Sequence, residues 1–346
     1  MKTKPRSVAS RIKPAWNALK EKAIYYRAKY SRSLPEERHA RTDLKNPREA
    51  DICFIYNPER VHEGTTILRC FQLFEIVKAA PELGKRRAFL TDSIDHRDSI
   101  LFLTKNTILG ISRDQFRRLK SQNNIILADY VDGEIDETLL DMLDVLIASS
   151  YTQYHLYRHL FPTKQVEYLT HCVDTRLEAF EKPKVDTLRI VYNGQIENAV
   201  FDDEILKHVD FKFYRPGIKQ VGWSNDSWIE NLVGYSCHYC VRQRDNFSGK
   251  SRLITKPLTK VFTAAHCHAN AIIQRYEDDV IEYMGYDYPY LLLGTTKSEI
   301  KEMLRFVRES YMQREWLFGL EIMENIKRRC GSGFVRENFF KIVDSL

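Results

Sequence analysis

The chain has 346 residues, of which 43% are hydrophobic and 29% charged, a balance typical of globular proteins and unlike that of a disordered chain. This length is long for one hydrophobic core and suits two domains. No apolar run approaches the ~18 residues that a membrane-spanning helix needs, and the first residues lack the apolar core of a secretory signal peptide. We therefore expect a cytoplasmic protein, or one that is peripheral at a membrane.

The positive charge of the chain is concentrated in its first 49 residues. Residues 1–49 hold 14 lysines and arginines against 5 aspartates and glutamates, a net charge of +9, whereas the whole chain carries +6 and the remainder therefore −3. We interpret this segment as a basic N-terminal extension and expect residues 1–33 to contact an anionic membrane surface. A solvated extension and a mitochondrial targeting peptide are the alternatives. Because the body lacks this positive charge, we expect no nucleic acid among the partners.

Residues 50–180 show the alternation of strands and helices that is typical of a parallel, doubly wound sheet. The predicted strands are DICFIYN, RAFLTD, NIILADY, DVLIASS and VEYLTHCVD. The predicted helices between them are TTILRCFQLFEIVKAAPEL, NTILGISRDQFRRLKSQ, DETLLDML and YTQYHLYRHLF. We interpret this region as a Rossmann-like domain.

A second alternating series occupies residues 181–330, after a charged stretch with Pro183 that predicts a linker. It contains the strands TLRIVYNG, DFKFYR and ANAIIQ, the helices FDDEILKHV, KPLTKVFTAAHCH and EDDVIEYMG, and a helix and strand in SWIENLVGYSCHYCVRQ. Long helices close the chain, and we expect residues 331–346 to form a C-terminal helix that packs back toward the N-terminal domain. The predicted fold class is therefore α/β, with two tandem Rossmann-like doubly wound domains, a basic N-terminal extension and a C-terminal helical tail.

Motifs of several other enzyme classes are missing from the sequence. Neither first βα turn carries G-x-G-x-x-G, and neither G-x-x-x-x-G-K-[ST] nor a G-x-S-x-G elbow occurs, which removes the main support for dinucleotide, P-loop and serine-hydrolase interpretations. Cys237 and Cys240 form a C-x-x-C ahead of His266, Cys267 and His268. Alternation along a strand would point Cys237 and Cys240 to opposite faces, so we expect no metal. A ligand cleft at the carboxyl ends of the two sheets remains the default site.

The segment RLITKPLTKVFTAAHCHANAIIQRYEDDVIEYMG resembles the donor-binding region of glycosyltransferases with the GT-B architecture. Four other segments resemble parts of the same family: NIILADYVD, DVLIASSYTQYHLYRHLF, VEYLTHCVDTRL and YSCHYCVRQR. The resemblance covers roughly residues 50–345 in order, and K-P-L-T-K is its most specific motif. It implies that residues 50–180 form an acceptor domain and residues 181–330 a donor domain that binds a nucleotide-sugar.

Cations around the K-P-L-T-K motif predict a site for the diphosphate of the donor. Lys256 and Lys260 flank Pro257 at a helix start, where free N–H groups and the helix dipole favour an anion. Arg242 and Arg244 would leave the preceding strand beside that helix start, and arginine can bind phosphate bidentately. Each cation could instead be a solvated residue. The predicted donor-binding residues are Arg242, Arg244, Lys256, Thr259, Lys260, Glu277, Asp278 and Asp279.

The three acids of this set open the next predicted helix, where acids are also favoured as caps. The resemblance implies that one of them, with Glu277 as first choice, contacts hydroxyls of the sugar or ribose. Many retaining members of the family also carry two glutamates eight residues apart, and Thr255 and Thr263 stand near those places here. Ribose recognition and the anomeric outcome therefore stay open.

Candidates for the acceptor side and for a catalytic base come from the N-terminal domain. The resemblance places a cleft loop after the first strand. His171 in THCVD lies near the predicted crossover between the units, where a packed histidine and a ligand contact are equal alternatives. The acceptor-side candidates are Glu63, Gly64, Thr65, Arg69 and His171. Thr65 or Thr66 could simply cap the following helix. An inverting transferase needs a base to deprotonate the acceptor hydroxyl. The candidates, each of which could also be a turn residue, are Asp92, Asp95, Asp129 and Asp132.

These observations together predict a glycosyltransferase that moves a sugar from a nucleotide-sugar to a glycan, glycolipid or lipid-linked acceptor. We expect it to need neither a metal nor a cofactor, because the cations can neutralise the diphosphate. A catalytically degenerate, transferase-like partner protein is one alternative, since the glutamate pair is absent. A nucleic-acid-binding protein is the other.

Overall fold

The computed structural model describes residues 49–178, 186–214, 232, 234–243 and 254–346. The basic extension up to residue 48, most of the predicted linker, nearly all of the predicted helix in SWIENLVG and the predicted donor residue Arg244 lie outside the described residues. Within the described part, two α/β units follow one another along the chain. No helix of that part is long and apolar enough to cross a membrane.

The first unit is built on six strands. They are β1 (Ile52–Ile55), β2 (Ala88–Thr91), β3 (Ile100–Thr104), β4 (Ile125–Asp129), β5 (Val145–Ala148) and β6 (Gln165–Tyr168). Neighbouring strands all run parallel, in the order β2-β1-β3-β4-β5-β6. Strands β1 and β3 are apolar runs buried throughout, as expected where both faces of a parallel sheet are covered.

Helices cover both faces of this sheet. They are a π-helical turn (Thr66–Phe71) that continues into α1 (Gln72–Lys78), then α2 (Lys105–Ile108), α3 (Arg113–Ser121) and α4 (Tyr151–Leu160). Alternate residues of β1 separate into two apolar clusters: Ile52 and Phe54 pack with α1, and Cys53 and Ile55 pack with α3. Short 3-10 turns lie at Pro58–Arg60, Pro81–Leu83, Glu137–Met142 and Thr175–Leu177.

The second unit is a five-stranded parallel sheet with one large apolar cluster. Its strands are β7 (Ile190–Gln195), β8 (Asp210–Tyr214), β9 (Cys237–Tyr239), β10 (Asn270–Gln274) and β11 (Leu291–Leu292). They pair in the order β11-β10-β9-β7-β8. Its helical segments are a 3-10 turn (Ile196–Asn198), α5 (Asp203–Leu206), α6 (Thr259–His266), α7 (Val280–Met284), α8 (Lys297–Glu309) and α9 (Arg314–Cys330).

The last helix, α10 (Ser332–Asp344), packs against the sheet of the first unit although it follows the second in sequence. The Phe339 ring stacks on the Phe54 ring of β1, with ring centroids 5.7 Å apart. Asp344 accepts a hydrogen bond from Arg86 at 2.8 Å, which anchors the end of the helix. The chain therefore returns to its first unit to complete that unit's core.

The structure confirms the predicted fold class of two α/β units with parallel sheets, and it corrects several element predictions. Strand β3, central in the first sheet, was not predicted, and neither was the short β11. The single helix predicted for NTILGISRDQFRRLKSQ is wrong: Ser112 and Gln115 form a capping box that begins α3 separately from α2. A cap by Thr65 or Thr66 is also wrong, because Thr65 makes no capping hydrogen bond and Thr66 accepts one from Asn106 instead.

Candidate functional site

Charged side chains of both units meet at the carboxyl ends of the two sheets, where ligands of doubly wound folds bind. Lys105 follows β3 directly, and Asp132 follows β4 by three residues. Lys105 forms an ion pair with Asp132. Lys256 approaches the same carboxylate from the second unit, with its Nζ 4.0 Å from Asp132 Oδ2. A bridge of alternating charge, Lys105–Asp132–Lys256, thus spans the cleft.

The backbone immediately before Asp132 is strained. Val131 is β-branched and has a φ of 52°, in the left-handed region that such residues avoid. Its N–H donates to Asp129 at 2.8 Å, and the Gln153 side chain donates to its carbonyl oxygen at 2.6 Å. Strain that neighbouring groups maintain in this way is typical of functional sites. Here it places the Asp132 carboxylate beside the two lysines.

This pairing changes the protonation of Asp132 and Lys256. Burial alone would raise the pKa of Asp132, but the ammonium groups of Lys105 and Lys256 outweigh it and the pKa is lowered. Burial lowers the pKa of Lys256, and the Asp132 carboxylate opposes that shift only in part. Asp132 is therefore ionised at neutral pH and is a weak base while both lysines stay beside it.

The helix start at α6 is open to an anion. Leu258 is its N-cap and offers no side-chain hydrogen bond, and the first turn contains no acid. Within the described residues, the helix dipole and the first-turn N–H groups therefore have no side-chain cap and suit an anion. The backbone N–H of Lys256 donates to Asp278 at 3.1 Å, which ties the K-P-L-T-K loop to the segment after β10.

Lys260, in the first turn of α6, turns inward. Its Nζ is buried without a hydrogen-bond partner among the described residues and lies 3.8 Å from the centroid of the Tyr192 ring. Burial, with the neighbouring cations Arg242 and Lys256 adding to it, lowers the pKa of Lys260 to about 7. Gly194 makes room for this side chain, because a Cβ at that position would lie 2.8 Å from Nζ.

Arg242 and Glu277 form an ion pair beside these lysines. An Arg242 nitrogen lies 3.2 Å from the Glu277 carboxylate, and the two side chains are 14% and 15% exposed. The Gln274 side chain donates to the Arg242 carbonyl oxygen at 2.6 Å, which fixes the arginine at the end of β10. The structure thus brings Arg242, Lys256, Lys260 and Glu277 together at one edge of the second sheet.

The Asp279 carboxylate points away from this cluster, which argues against the predicted role of Asp279 in donor binding. Its backbone is left-handed, with φ of 63°, and its carboxylate crosses to the first unit. There it accepts hydrogen bonds from the backbone N–H groups of Tyr151 and Thr152 at 2.7 and 2.8 Å and from the Thr152 hydroxyl at 2.7 Å. Asp279 therefore caps α4, and burial raises its pKa despite those hydrogen bonds. It does not cap its own helix α7.

Arg69 and Asp129 form a fully buried ion pair beneath the cleft, with no exposed side-chain surface. Arg69, in the π-helical turn, also donates to the carbonyl oxygens of Leu169 and Thr170. Both side chains are fully buried, which argues against the predicted roles of Arg69 in acceptor contact and of Asp129 as a base. His171 is 3% exposed, and its ring bonds the Cys172 carbonyl oxygen. Burial and the nearby Arg69 lower the pKa of His171 to about 3, so it packs as a neutral imidazole.

The remaining first-unit candidates lie outside the charged cluster or are engaged locally. Asp95 accepts hydrogen bonds from Arg118 and Gln122 on the outer face of α3, which argues against its role as a base. Asp92 is exposed. Glu63 pairs with Arg60, three residues earlier. Gly64 and Thr65 form the first helical residues before the π-helical turn, and Thr259 forms the first residue of α6.

The cysteine and histidine pattern does not form a metal site. All seven cysteines are buried free thiols. Across the part of the chain that the structure describes, no three His, Cys, Asp or Glu side chains are placed to hold a metal ion. His266 instead bonds the Phe262 carbonyl oxygen within its own helix, α6.

Two residues of the cluster were missed by sequence reasoning. Lys105 was missed because β3, the strand before it, was not predicted. Had that strand been predicted, a lysine at its carboxyl end would have been a candidate for the site. In the sequence, Tyr192 is one residue of the predicted apolar strand TLRIVYNG. Nothing in that local pattern indicates that its ring contacts a lysine 68 residues later in the chain.

Comparisons with known proteins agree on the fold. No protein-family model and no curated protein matches the sequence. The structure of Anabaena Alr3699/HepE in complex with UDP matches with a TM-score of 0.53 and 9% identity, covering 86% of this chain and 100% of that one. AviGT4, a glycosyltransferase involved in avilamycin A biosynthesis, matches with a TM-score of 0.51 and 10% identity over 86% and 97% of the two chains.

A chain of the GtfA/B complex also matches, with a TM-score of 0.47, 9% identity and 72% of this chain covered, but only 57% of that longer chain is spanned. Identities this low speak for architecture and not for substrate. Two parallel α/β units in tandem, with a cleft at their facing carboxyl edges, match over the full length of HepE. The chain has the GT-B fold of the glycosyltransferases.

Proposed function

We propose that this protein transfers a sugar from a nucleotide-sugar donor to a glycan, glycolipid or lipid-linked acceptor. One observation carries the proposal: Arg242, Lys256 and Lys260 converge with the uncapped start of α6 at the carboxyl edge of the second sheet. Such a cluster suits a diphosphate, which carries two negative charges and many acceptor oxygens. The structures of HepE with UDP and with UDP-glucose are consistent with a nucleotide at this fold's cleft.

The cations act on the leaving group in this proposal. When the bond between the sugar and the diphosphate breaks, negative charge grows on the bridging oxygen. Positive groups held in place beforehand stabilise that charge more than they stabilise the intact donor, and this difference accelerates the reaction. Arg242, Lys256 and Lys260 can neutralise the diphosphate themselves, so the proposal requires no metal.

Asp132 is the residue that we propose as the base toward the acceptor hydroxyl. It lies at the cleft, whereas Asp129 is buried and Asp95 is engaged with α3. Its contact with Lys256 is long, 4.0 Å, and a diphosphate that attracts Lys256 would weaken it further. Losing that partner raises the pKa of a carboxylate and makes it a stronger base. Donor binding would thus prepare Asp132 for the acceptor.

The acceptor and the location of the protein are proposed from the sequence. Residues 1–33 would hold the protein at an anionic membrane surface in the cytoplasm, near a lipid-linked acceptor.

Thermal stabilisation by nucleotides tests the donor part of the proposal. We would measure unfolding of the full chain with a panel of nucleoside diphosphates and nucleotide-sugars, alongside Arg242→Ala and Lys256→Ala. A ligand at 100 times its Kd adds about 2.7 kcal/mol of apparent stability. The matched controls are Arg305→Ala and Lys341→Ala, exposed cations on α8 and α10 that should keep the full shift. A shift with DNA or RNA and none with any nucleotide would contradict the proposal.

A degenerate transferase that only binds a donor is the second candidate. It is favoured by the engagement of three predicted acids, Asp95, Asp129 and Asp279, in structural contacts. It is also favoured by Thr255, which is 2% exposed and stands near a place where the family pattern has a glutamate. Release of nucleoside diphosphate from the stabilising nucleotide-sugar, with and without candidate acceptors, separates the two. Donor binding with no release under any condition would support the second candidate.

A further inference from the structure

Lys260 occupies a position that is costly for a charged amine. The ammonium group of a lysine loses several kcal/mol of hydration when it is buried, and hydrogen bonds normally offset that cost. Here Nζ has no hydrogen-bond partner among the described residues. The centroid of the Tyr192 ring lies 3.8 Å from Nζ, and a desolvated cation–π contact is worth only about 2 kcal/mol.

The Lys260 side chain lines a small cavity in the second unit. The cavity has a volume of about 30 Å³ and is lined by residues of β7, β9 and α6, among them Asn193, His238 and Thr263. His238 Nε2 is also buried without a hydrogen-bond partner in the described chain. A volume of this size holds one or two waters, which could hydrate a neutral amine but could not replace the full hydration shell of an ammonium.

Within the described residues, several charged and titratable groups face Lys260. They are Tyr192 of β7, His238 of β9, Cys240 and Arg242 after β9, Lys256 before α6, and Glu277 after β10. Burial lowers the pKa of His238 to about 3 and raises that of Cys240 to about 11, so both are neutral near pH 7. Glu277 is already paired with Arg242. Among the residues that the structure describes, no group around Lys260 therefore offers it a free negative charge.

We infer that Lys260 is stored as a neutral amine in the donor-free protein, and that the diphosphate of a nucleotide-sugar charges it by drawing one proton from solvent. The inference rests on the proposed function, because the diphosphate supplies the missing counter-charge. The step is a simple protonation in which the lone pair of the –NH₂ group accepts a proton and becomes –NH₃⁺. The lowered pKa of about 7 agrees with the geometry, since the diphosphate adds about two negative charges next to Arg242, Lys256 and Lys260.

Proton-linked binding makes the donor affinity depend on pH in a defined way. Above pH 7 the protein must take up a proton to bind, so the affinity should fall about tenfold for each pH unit. Below pH 7 Lys260 is already charged and the affinity should level off. A lysine that is charged in both states would give a flat profile across this range.

Isothermal titration calorimetry of the full chain measures the proton directly. The first probe is UDP-glucose, whose diphosphate is fully ionised throughout this range, so that any proton taken up belongs to the protein. If UDP-glucose gives no shift in the nucleotide panel, the nucleotide-sugar that gives the largest shift replaces it. Titrations in three buffers of different ionisation enthalpy should show an uptake of about 0.9 proton per site at pH 8 and about half a proton at pH 7 for a pKa of about 7.

Two variants tie the proton to Lys260. Lys260→Arg is charged at every pH used, so it should bind with no uptake and with an affinity that does not change from pH 7 to pH 9. Lys260→Met keeps the packing on Tyr192 without the amine and should bind more weakly, also without uptake. Binding by the wild type with no proton uptake, or uptake that persists in Lys260→Arg, would overturn the inference while leaving the proposed function intact. If no member of the panel binds at all, the proposed function fails first.

Discussion

The contact of Asp279 with α4 predicts how firmly the two units hold each other. Replacing Asp279 by Ala removes three hydrogen bonds, each 2.7 or 2.8 Å long, from the first turn of α4. Loss of a helix cap costs about 0.5–2 kcal/mol, and each buried donor left without a partner adds about 1 kcal/mol or more. An alanine in the left-handed conformation of residue 279 costs about 1 kcal/mol further. We expect Asp279→Ala to lower the free energy of unfolding by about 3 kcal/mol.

Two further variants at the same position separate these contributions. Asp279→Gly also loses the hydrogen bonds but accepts a φ of 63° without strain, so it should be about 1 kcal/mol more stable than Asp279→Ala. Asp279→Asn keeps one acceptor oxygen and tolerates the left-handed conformation, and should be the mildest of the three. The order of stability expected is therefore wild type, Asn, Gly and Ala.

Urea unfolding followed by tryptophan fluorescence and by far-ultraviolet circular dichroism gives the assay. Trp316 is buried in the core of the second unit, whereas circular dichroism reports on both units. If Asp279 couples the units, the two transitions should coincide in the wild type and separate in Asp279→Ala. Variants that all lie within 0.5 kcal/mol of the wild type, with transitions that still coincide, would refute the reasoning.

Three other predictions concern the buried charges. Arg69→Met leaves the Asp129 carboxylate buried without its counter-charge, and should lower the free energy of unfolding in urea by about 3–5 kcal/mol; a loss under 1 kcal/mol would contradict the pairing. Asp132→Asn should slow sugar transfer by about 10²–10⁴-fold in a product assay, while the donor Kd changes little, if Asp132 is the base; unchanged transfer would exclude that role. Folding lowers the pKa of Lys260 from 10.5 to about 7. Between pH 7 and pH 10.5, Lys260 is therefore protonated in the unfolded chain and largely neutral in the folded chain. Stability in urea should therefore rise with pH between 7 and 10.5, by at most about 1.4 kcal/mol per unit relative to Lys260→Met; equal slopes for the two proteins would refute it.

Local sequence patterns were sufficient for most of the fold. Apolar runs bounded by turn residues predicted nine of the eleven strands, or a segment that contains them; the two exceptions are β3 and β11. Most of the order of elements in each unit therefore followed from the sequence. Strand β3 (ILFLT) was missed because it runs into α2 with no glycine or proline between them. Strand β11 spans only two residues, Leu291–Leu292, and its neighbours decide its state.

In the candidate site, too, some residue positions follow from the local sequence and others depend on residues far along the chain. The cations of K-P-L-T-K lie at a helix start because proline and the following residues favour one locally. The fate of the acids depends on contacts far along the chain. Asp129 meets Arg69 across 60 residues, and Asp279 meets Thr152 across 127. A single sequence does not show which distant residues come into contact. A carboxylate that forms a buried ion pair therefore cannot be distinguished, from the sequence, from one that faces a substrate.

Because α10 packs on the first sheet, the core of the first unit is complete only after the end of the chain has been synthesised. Val335, Phe339 and Val343 belong to the same apolar cluster as β1 and β3, yet roughly 150 residues separate them from the end of the first unit. At a synthesis rate of about 5–20 residues per second, one face of the first sheet waits about 8–30 s for α10. During that interval the first unit leaves the ribosome with the Phe54 side of its sheet covered by α1 but not yet by α10. Chaperones that bind exposed apolar surface should therefore engage this nascent chain on its first unit, and release it only once the final helix has emerged.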